Sequence, residues 1–306
     1  MIPIQQPKKE RQPPDVSSLQ LMLKNNMVEE VQLILDINPE LKFKLVPNTN
    51  SSIPGSHVLE DSVVGAELWL KRFITEDPDT IVMKQDAKKL SKVDDEVLIV
   101  GETGTGKELI ARAMIGDRSG KFIAVNCAGL PKELIESELF GHKAGAFTGA
   151  MSNKMGMLAV ASKPNAGVIF LDEIGELPLT VQGTLLRALQ EKVIRPVGAN
   201  EEIDIACKFV CATHRDLKSL VKSGLFRQDL YARISTFELN IKPLRMRKGD
   251  IIPIVKAIGE TLKIQQKAKE FLEKYSEAIV NDAIDLSLNV RSLEQAIKRY
   301  SVLGKV

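Results

Sequence analysis

Two short runs in this chain have the residue types and spacing for phosphate chemistry. Residues 101–108 read Gly-Glu-Thr-Gly-Thr-Gly-Lys-Glu, directly after the apolar run Val97–Val100 and at the head of a helical pattern. Glycines let a backbone wrap a phosphate without Cβ clashes. Successive N–H groups and a helix N-terminus turn partial positive charge toward it. Lys107 can then reach the β and γ phosphates of a nucleoside triphosphate. Gly101, Glu102, Thr103, Gly104, Thr105, Gly106, Lys107 and Glu108 form the candidate nucleotide loop. Its eighth position, usually a Ser or Thr that ligates magnesium, is Glu108. The second run, Gly167-Val-Ile-Phe-Leu-Asp-Glu, sets Asp172 and Glu173 at the carboxyl end of an apolar strand. Carboxylates there point into the crevice where ligands of α/β sheets bind. Asp172 suits magnesium, and Glu173 suits the orientation and deprotonation of a water. Each run has a plainer alternative on its own, a Gly-rich turn with a solvated lysine or a solvated loop start.

The elements that must position these runs are legible as alternating patterns. Strand-length apolar runs occur at Val97–Val100, Phe122–Val125, Val168–Leu171, Ile205–Cys211 and Ile234–Leu239. Helical patterns lie between them at Lys107–Met114, Leu134–Phe140, Leu179–Glu191 and Leu217–Ser223. Buried strands alternating with helices predict an α/β fold, a parallel sheet with helices on both faces. After Pro243 only helices are expected, at about 251–263, 265–280 and 290–302. Upstream, residues 1–18 have a disordered composition, Leu19–Ile37 has amphipathic helical spacing, and 38–58 read as a linker. The resulting division is an N-terminal segment 1–68, an α/β core 69–243 and a helical subdomain 244–306.

Composition narrows the function classes. Hydrophobic residues make up 44% of the 306, so a sizeable core is possible. The net charge of +2 gives no global pull toward nucleic acid or membrane. No apolar run reaches the length of a membrane span, about 18 residues. The cysteines, Cys127, Cys207 and Cys211, are too few and odd in number for a disulfide scaffold, and fit a reducing cytosol. Cys207 and Cys211 read as small buried hydrophobes.

Residues 145–150 read Gly-Ala-Phe-Thr-Gly-Ala and follow Glu136-Ser-Glu-Leu-Phe-Gly-His142. This hexapeptide resembles the signature loop of the sigma-54 activators, the bacterial enhancer-binding proteins of the AAA+ ATPases. The nucleotide loop resembles the family's own, including Glu at position 108. The resemblance runs from about residue 73 to 303 and implies an AAA+ P-loop core followed by a small all-helical lid. It implies hydrolysis of ATP with Mg2+, a hexameric ring and a cytoplasmic location. Gly145, Ala146, Phe147, Thr148, Gly149 and Ala150 would contact sigma-54 in the RNA polymerase holoenzyme, beside a hairpin at Glu191–Ile203. Asn126 would hydrogen-bond the catalytic Glu173 and switch it. Thr213 and His214 would sense the γ-phosphate, and Arg291 would sense nucleotide from the lid. Arg227 and Arg233 would act as arginine fingers on a neighbouring subunit's ATP.

The pattern departs from the family at three places. Leu286-Ser-Leu-Asn289 stands where the lid usually has Trp-Pro-Gly-Asn. Met246 replaces an acidic residue, and Thr75-Glu-Asp-Pro78 replaces a Gly-Ser-Pro-like opening beside the adenine. No helix-turn-helix pattern is visible, so no sequence-specific DNA binding is expected of these residues. Two other readings stay open: an AAA+ machine that remodels a different protein, and a nucleotide-dependent binding module without turnover.

Overall fold

In a computed structural model of the protein, the described residues are 56–59, 65–131, 134–280 and 285–305. The amphipathic helix expected at Leu19–Ile37 lies outside them. The chain runs β1 (Ser56–Leu59), α1 (Ala66–Arg72), α2 (Pro78–Leu90), β2 (Val97–Gly101), α3 (Lys107–Ala113), β3 (Phe122–Asn126) and α4 (Ile135–Phe140). It continues through β4 (Gly141–His142), β5 (Lys154–Met155), α5 (Met157–Ser162), β6 (Val168–Asp172), α6 (Leu179–Glu191), β7 (Val193–Ile194) and β8 (Ile203–Asp204). Then come β9 (Lys208–Thr213), α7 (Leu217–Lys222), α8 (Gln228–Ile234), β10 (Phe237–Ile241), α9 (Ile251–Thr261), α10 (Gln265–Val280) and α11 (Val290–Leu303).

The main sheet has the order β1-β3-β6-β9-β2-β10. Its last five strands are parallel, and β1 pairs antiparallel with β3. The period of two along each strand divides the core. Leu98, Ile123, Ile169, Leu171 and Cys211 face one cluster, with α4, α5 and α6. Val97, Ile99, Phe122, Phe170 and Val210 face the other, with α1 and α3. A third cluster, around Phe271, Leu293 and Ile297, is built by the helices after β10. Among the described residues, no helix is long and apolar enough to cross a membrane.

Three expectations need correction. The strand placed at Ile234–Leu239 is β10, Phe237–Ile241. Ile234 ends α8, where it and Leu230, one helical turn apart, are both fully buried. The strand placed from Ile205 begins at Lys208, because the N–H groups of Ala206 and Cys207 donate to Ser162 Oγ at the end of α5. Residues 56–58 of the expected linker are strand. Cys207 and Cys211 are buried as expected, Cys127 is buried as well, and burial pushes the Cys211 thiol up to about 12.

The foot of the sheet depends on one buried cation. Lys208 is 1% exposed, and its Nζ donates to the carbonyls of Leu90, Val93 and Asp95 at 3.2, 2.7 and 2.7 Å. Burial lowers its pKa to about 8, so it is charged at neutral pH. Lys208→Met keeps the stem's bulk and removes all three donors. The expected result is a loss of about 2–3 kcal/mol, read as a Tm lower by roughly 5–10 °C. An unchanged melting curve would mean that water replaces the ammonium at no cost.

Candidate active site

The nucleotide loop links β2 to α3 and opens onto a cavity of about 730 Å³. Two glycines are required there by close approach. Gly106 has φ 102°, and a Cβ on it would come 2.9 Å from the Phe73 ring. Gly104 has φ 78°, and its Cβ would lie 2.0 Å from the Leu288 carbonyl oxygen. Lys107 is buried, and its Nζ donates to Gly101 O at 3.0 Å and Glu102 O at 3.3 Å. The same ammonium lies 3.6 Å from Glu173 Oε1. Glu108 lines the cavity and pairs with Arg112 at 2.7 Å.

Asp172 ends β6 directly opposite Asn126 of β3, and both line the cavity. Burial, and next the charge of Glu173, raise the Asp172 carboxyl above the usual aspartate value. A divalent cation would relieve that strain. Among the described residues, no group of three or more His, Cys, Asp or Glu forms a complete metal cage. Magnesium would need no such cage, since it takes one or two carboxylates and completes its shell with phosphate and water. If Asp172 holds such a cation, protons would compete with it, and the raised pKa would move that competition to higher pH than for an ordinary aspartate. The Mg-dependent gain in ATP affinity is therefore expected to fall on mild acidification. Titrating a fluorescent ATP analogue with and without Mg2+ across pH reads it. In Asp172→Asn the gain should be small at every pH.

Glu173 sits in left-handed backbone, φ 55° and ψ 50°, a costly conformation for a residue with a Cβ. It aims the carboxylate at two partners. Lys107 is one. His214 is the other, with Nδ1 at 2.6 Å and its backbone N–H donating at 3.2 Å, both to Oε2. His214, expected beside the γ-phosphate, thus stands on the glutamate. Thr213 is fully buried, and its hydroxyl accepts the N–H of Arg215. Asn126 Oδ1 accepts the N–H groups of Ala128 and Gly129 at 3.0 and 3.2 Å, closing the turn after β3. That turn engages only the amide oxygen; the expected partnership with Glu173 would use Nδ2 as the donor. Arg291, in the first turn of α11, lines the cavity.

The two finger candidates lie outside the cavity lining. Arg227 makes a bidentate pair with Asp229, at 3.0 and 2.8 Å. Arg233 reaches Glu96 at 3.2 Å. The hexapeptide forms a closed turn, with Gly145 N–H donating to Ala150 O at 2.8 Å and Ala150 N–H to Phe147 O at 3.0 Å. Thr148 is exposed at its tip. The Phe147 ring meets His142 edge-on at 5.0 Å. The expected hairpin exists as β7 and β8 and is tied to this loop by Val197 N–H to Gly141 O and Lys143 N–H to Val197 O.

The departures noted in the sequence gain an account. Asn289 is fully buried at φ 55°, ψ −128°. Its Oδ1 accepts Leu244 N–H at 2.6 Å, and its Nδ2 donates to Thr103 O at 3.0 Å. Val290 N–H donates to Gly104 O, so the lid is bonded to the nucleotide loop without the usual Pro-Gly. Asp250 accepts from Thr75 Oγ1, Glu76 N–H and Arg247, and so organises the altered opening. Met246 is solvent-facing. Asp250, Arg247 and the clamping contacts of Asn289 are features of the cavity's surroundings that the sequence pattern missed. The only prior signal was two charged residues three apart, a spacing common on exposed helices.

Residues 73–240 match the Sigma-54 interaction domain. The chain belongs to that family. It is 40% identical over 242 residues to the transcriptional regulatory protein GlrR of Escherichia coli K12, covering 78% of this chain and 53% of GlrR. It is 40% identical over 244 residues to the response regulator PilR of Pseudomonas aeruginosa, covering 76% of this chain and 52% of PilR. The chain thus spans about half the length of these curated relatives. Among solved structures, NtrX of Brucella abortus superimposes with a TM-score of 0.65 at 24% identity, covering 78% of this chain and 54% of NtrX. NtrX in complex with ATP gives 0.63 at 24% identity, covering 76% and 50%. The fold of this sigma-54 interaction domain is that of an AAA+ ATPase.

Proposed function

We propose that this chain hydrolyses Mg-ATP in the cavity below Gly104 and uses the cycle to remodel the sigma-54 RNA polymerase closed complex. The observation that carries the reading is the convergence of Lys107, Asp172 and Glu173 on one cavity, in a chain whose Gly145–Ala150 turn presents Thr148 to solvent. The triphosphate oxygens take Lys107 from the two loop carbonyls, because an ionised acceptor outcompetes neutral ones. The loop N–H groups hold the β phosphate, and Phe73, Ile74 and Ile258 offer the base an apolar wall. Asp172 would hold magnesium, which neutralises charge on the transferring phosphoryl group when bound. Glu173, fixed by His214, accepts the proton of a water as its oxygen attacks the γ phosphorus. The bond to the β-phosphate oxygen breaks, leaving ADP and phosphate.

Arg227 and Arg233 lie outside the cavity lining, and in this reading they complete a neighbour's site. Such head-to-tail contacts close into rings, here a hexamer. The partner is cytoplasmic RNA polymerase carrying sigma-54, and base-specific DNA contacts are no part of the role of these residues. The test is specific ATPase activity against protein concentration, with Arg227→Ala alongside. The expected result is activity that rises with concentration and falls roughly 10³-fold in the mutant. A rate independent of both concentration and Arg227 overturns the shared site. Turnover without retention of sigma-54 by a transition-state nucleotide complex would redirect the machine to another protein target.

A further inference from the structure

Glu96 stands at the foot of β2, the strand that delivers the nucleotide loop, and it is 2% exposed. A carboxylate buried there is costly unless it is paired. It is paired twice, through one oxygen. Lys192 Nζ lies at 3.0 Å and Arg233 Nη2 at 3.2 Å from Oε1. The two cations come from different elements. Lys192 caps α6 in left-handed backbone and opens β7, and Arg233 lies in the last turn of α8. The Arg233 side chain is 40% exposed, and its Nε is buried without a hydrogen-bond partner among the described residues. The guanidinium is therefore held by one charged contact and is incompletely satisfied where it sits.

We propose that Glu96 is a positioning residue that latches Arg233 inside its own subunit, and that Lys192 is the counter-charge that lets the latch open. The inference rests on the reading of Arg233 as a finger for a neighbour's nucleotide. Withdrawal of Arg233 toward a neighbour's phosphate would strand a buried carboxylate if Arg233 were its sole partner. Lys192 remains, stacked over Phe209 at 5.3 Å, so the carboxylate keeps a cation throughout. Glu96 then opposes assembly of the shared site, and Lys192 lowers that opposition.

The charge arrangement predicts opposite shifts from two substitutions at one junction. In the full chain, Glu96→Gln keeps the side chain's shape and weakens the latch. The protein concentration giving half-maximal ATPase should fall, by roughly fivefold for one half-exposed ion pair. Lys192→Met leaves Arg233 as the sole cation on Glu96. The half-maximal concentration should rise by a similar factor. Simple structural damage raises it in both variants, so a rise in Glu96→Gln, or no shift in either, overturns the latch. Arg233→Ala separates this outcome from failure of the finger reading. If it hydrolyses ATP at the parent rate, Arg233 is no finger. If it is inactive while Glu96→Gln and Lys192→Met match the parent, the finger stands and the latch alone is wrong.

Discussion

Glu173→Gln is expected to bind ATP with near-parent affinity and to hydrolyse it roughly 10²–10⁴-fold more slowly, the range for losing a positioned general base. The substitution is nearly isosteric, and it leaves the loop N–H groups, Lys107 and the apolar wall around Ile258 in place. What disappears is the proton acceptor. Glu173 Oε2 is gripped twice by His214, through Nδ1 at 2.6 Å and the backbone N–H at 3.2 Å. Oε1 faces the Lys107 ammonium at 3.6 Å. Once phosphate draws Lys107 away, that oxygen loses its competing cation and is left to accept a proton from water. A glutamine amide can satisfy the His214 N–H through its oxygen, but it cannot take that proton. Equilibrium binding of a fluorescent ATP analogue and phosphate-release kinetics on the same preparation read the two effects separately. Parent-rate turnover by Glu173→Gln would move the base elsewhere. Loss of binding would mean that the carboxylate shapes the pocket rather than the reaction.

The parts of this candidate site legible in the sequence share one property: each is a continuous run. The loop 101–108, the strand ending at Asp172 and Glu173, and the hexapeptide 145–150 each carry backbone and side-chain requirements at fixed short spacing. The parallel sheet was equally visible, because strands buried on both faces read as unbroken apolar runs. Where a run is short, that signal does not separate helix from strand, and Ile234 shows the consequence. Contacts distant in sequence left no mark. Asn289 meets Thr103 across 186 positions, and Asp250 meets Thr75 across 175. Nothing in either segment announces that Asn289 will accept a left-handed backbone in exchange for a buried amide clamp. Asn126 marks a further limit. It ends β3 opposite Asp172, but a bond to Glu173 needs its Nδ2 as donor, and whether that amide reaches the carboxylate depends on conformation; the turn after β3 engages only the oxygen.

Thr148→Ala is expected to abolish retention of sigma-54 by the transition-state nucleotide complex while ATPase activity stays at the parent level. The hexapeptide turn and the cavity are separate places in the fold. Thr148 lies at the tip of a turn closed by the backbone bonds from Gly145 to Ala150 and from Ala150 to Phe147. A methyl in place of its hydroxyl leaves both bonds intact, and Thr148 is not among the residues that line the cavity. Gly145 and Gly149, at φ 83° and 101°, have open space around the position a Cβ would take. Their glycines therefore serve backbone shape rather than close packing, as expected of a turn that must present its tip. Phe147 is the companion test. It rests edge-on against His142 and is 37% exposed, so an apolar partner surface must draw it off that ring to use it fully. Phe147→Ala should likewise lose sigma-54 and keep turnover, whereas Phe147→Leu should retain part of the binding through its apolar area. If Thr148→Ala captured sigma-54 as well as the parent does, the hexapeptide would not be the gripping element. If it lost ATPase activity in step with capture, the loop would be coupled to the cavity even without its target. Only loss of capture with turnover preserved fits a loop that spends hydrolysis on a partner.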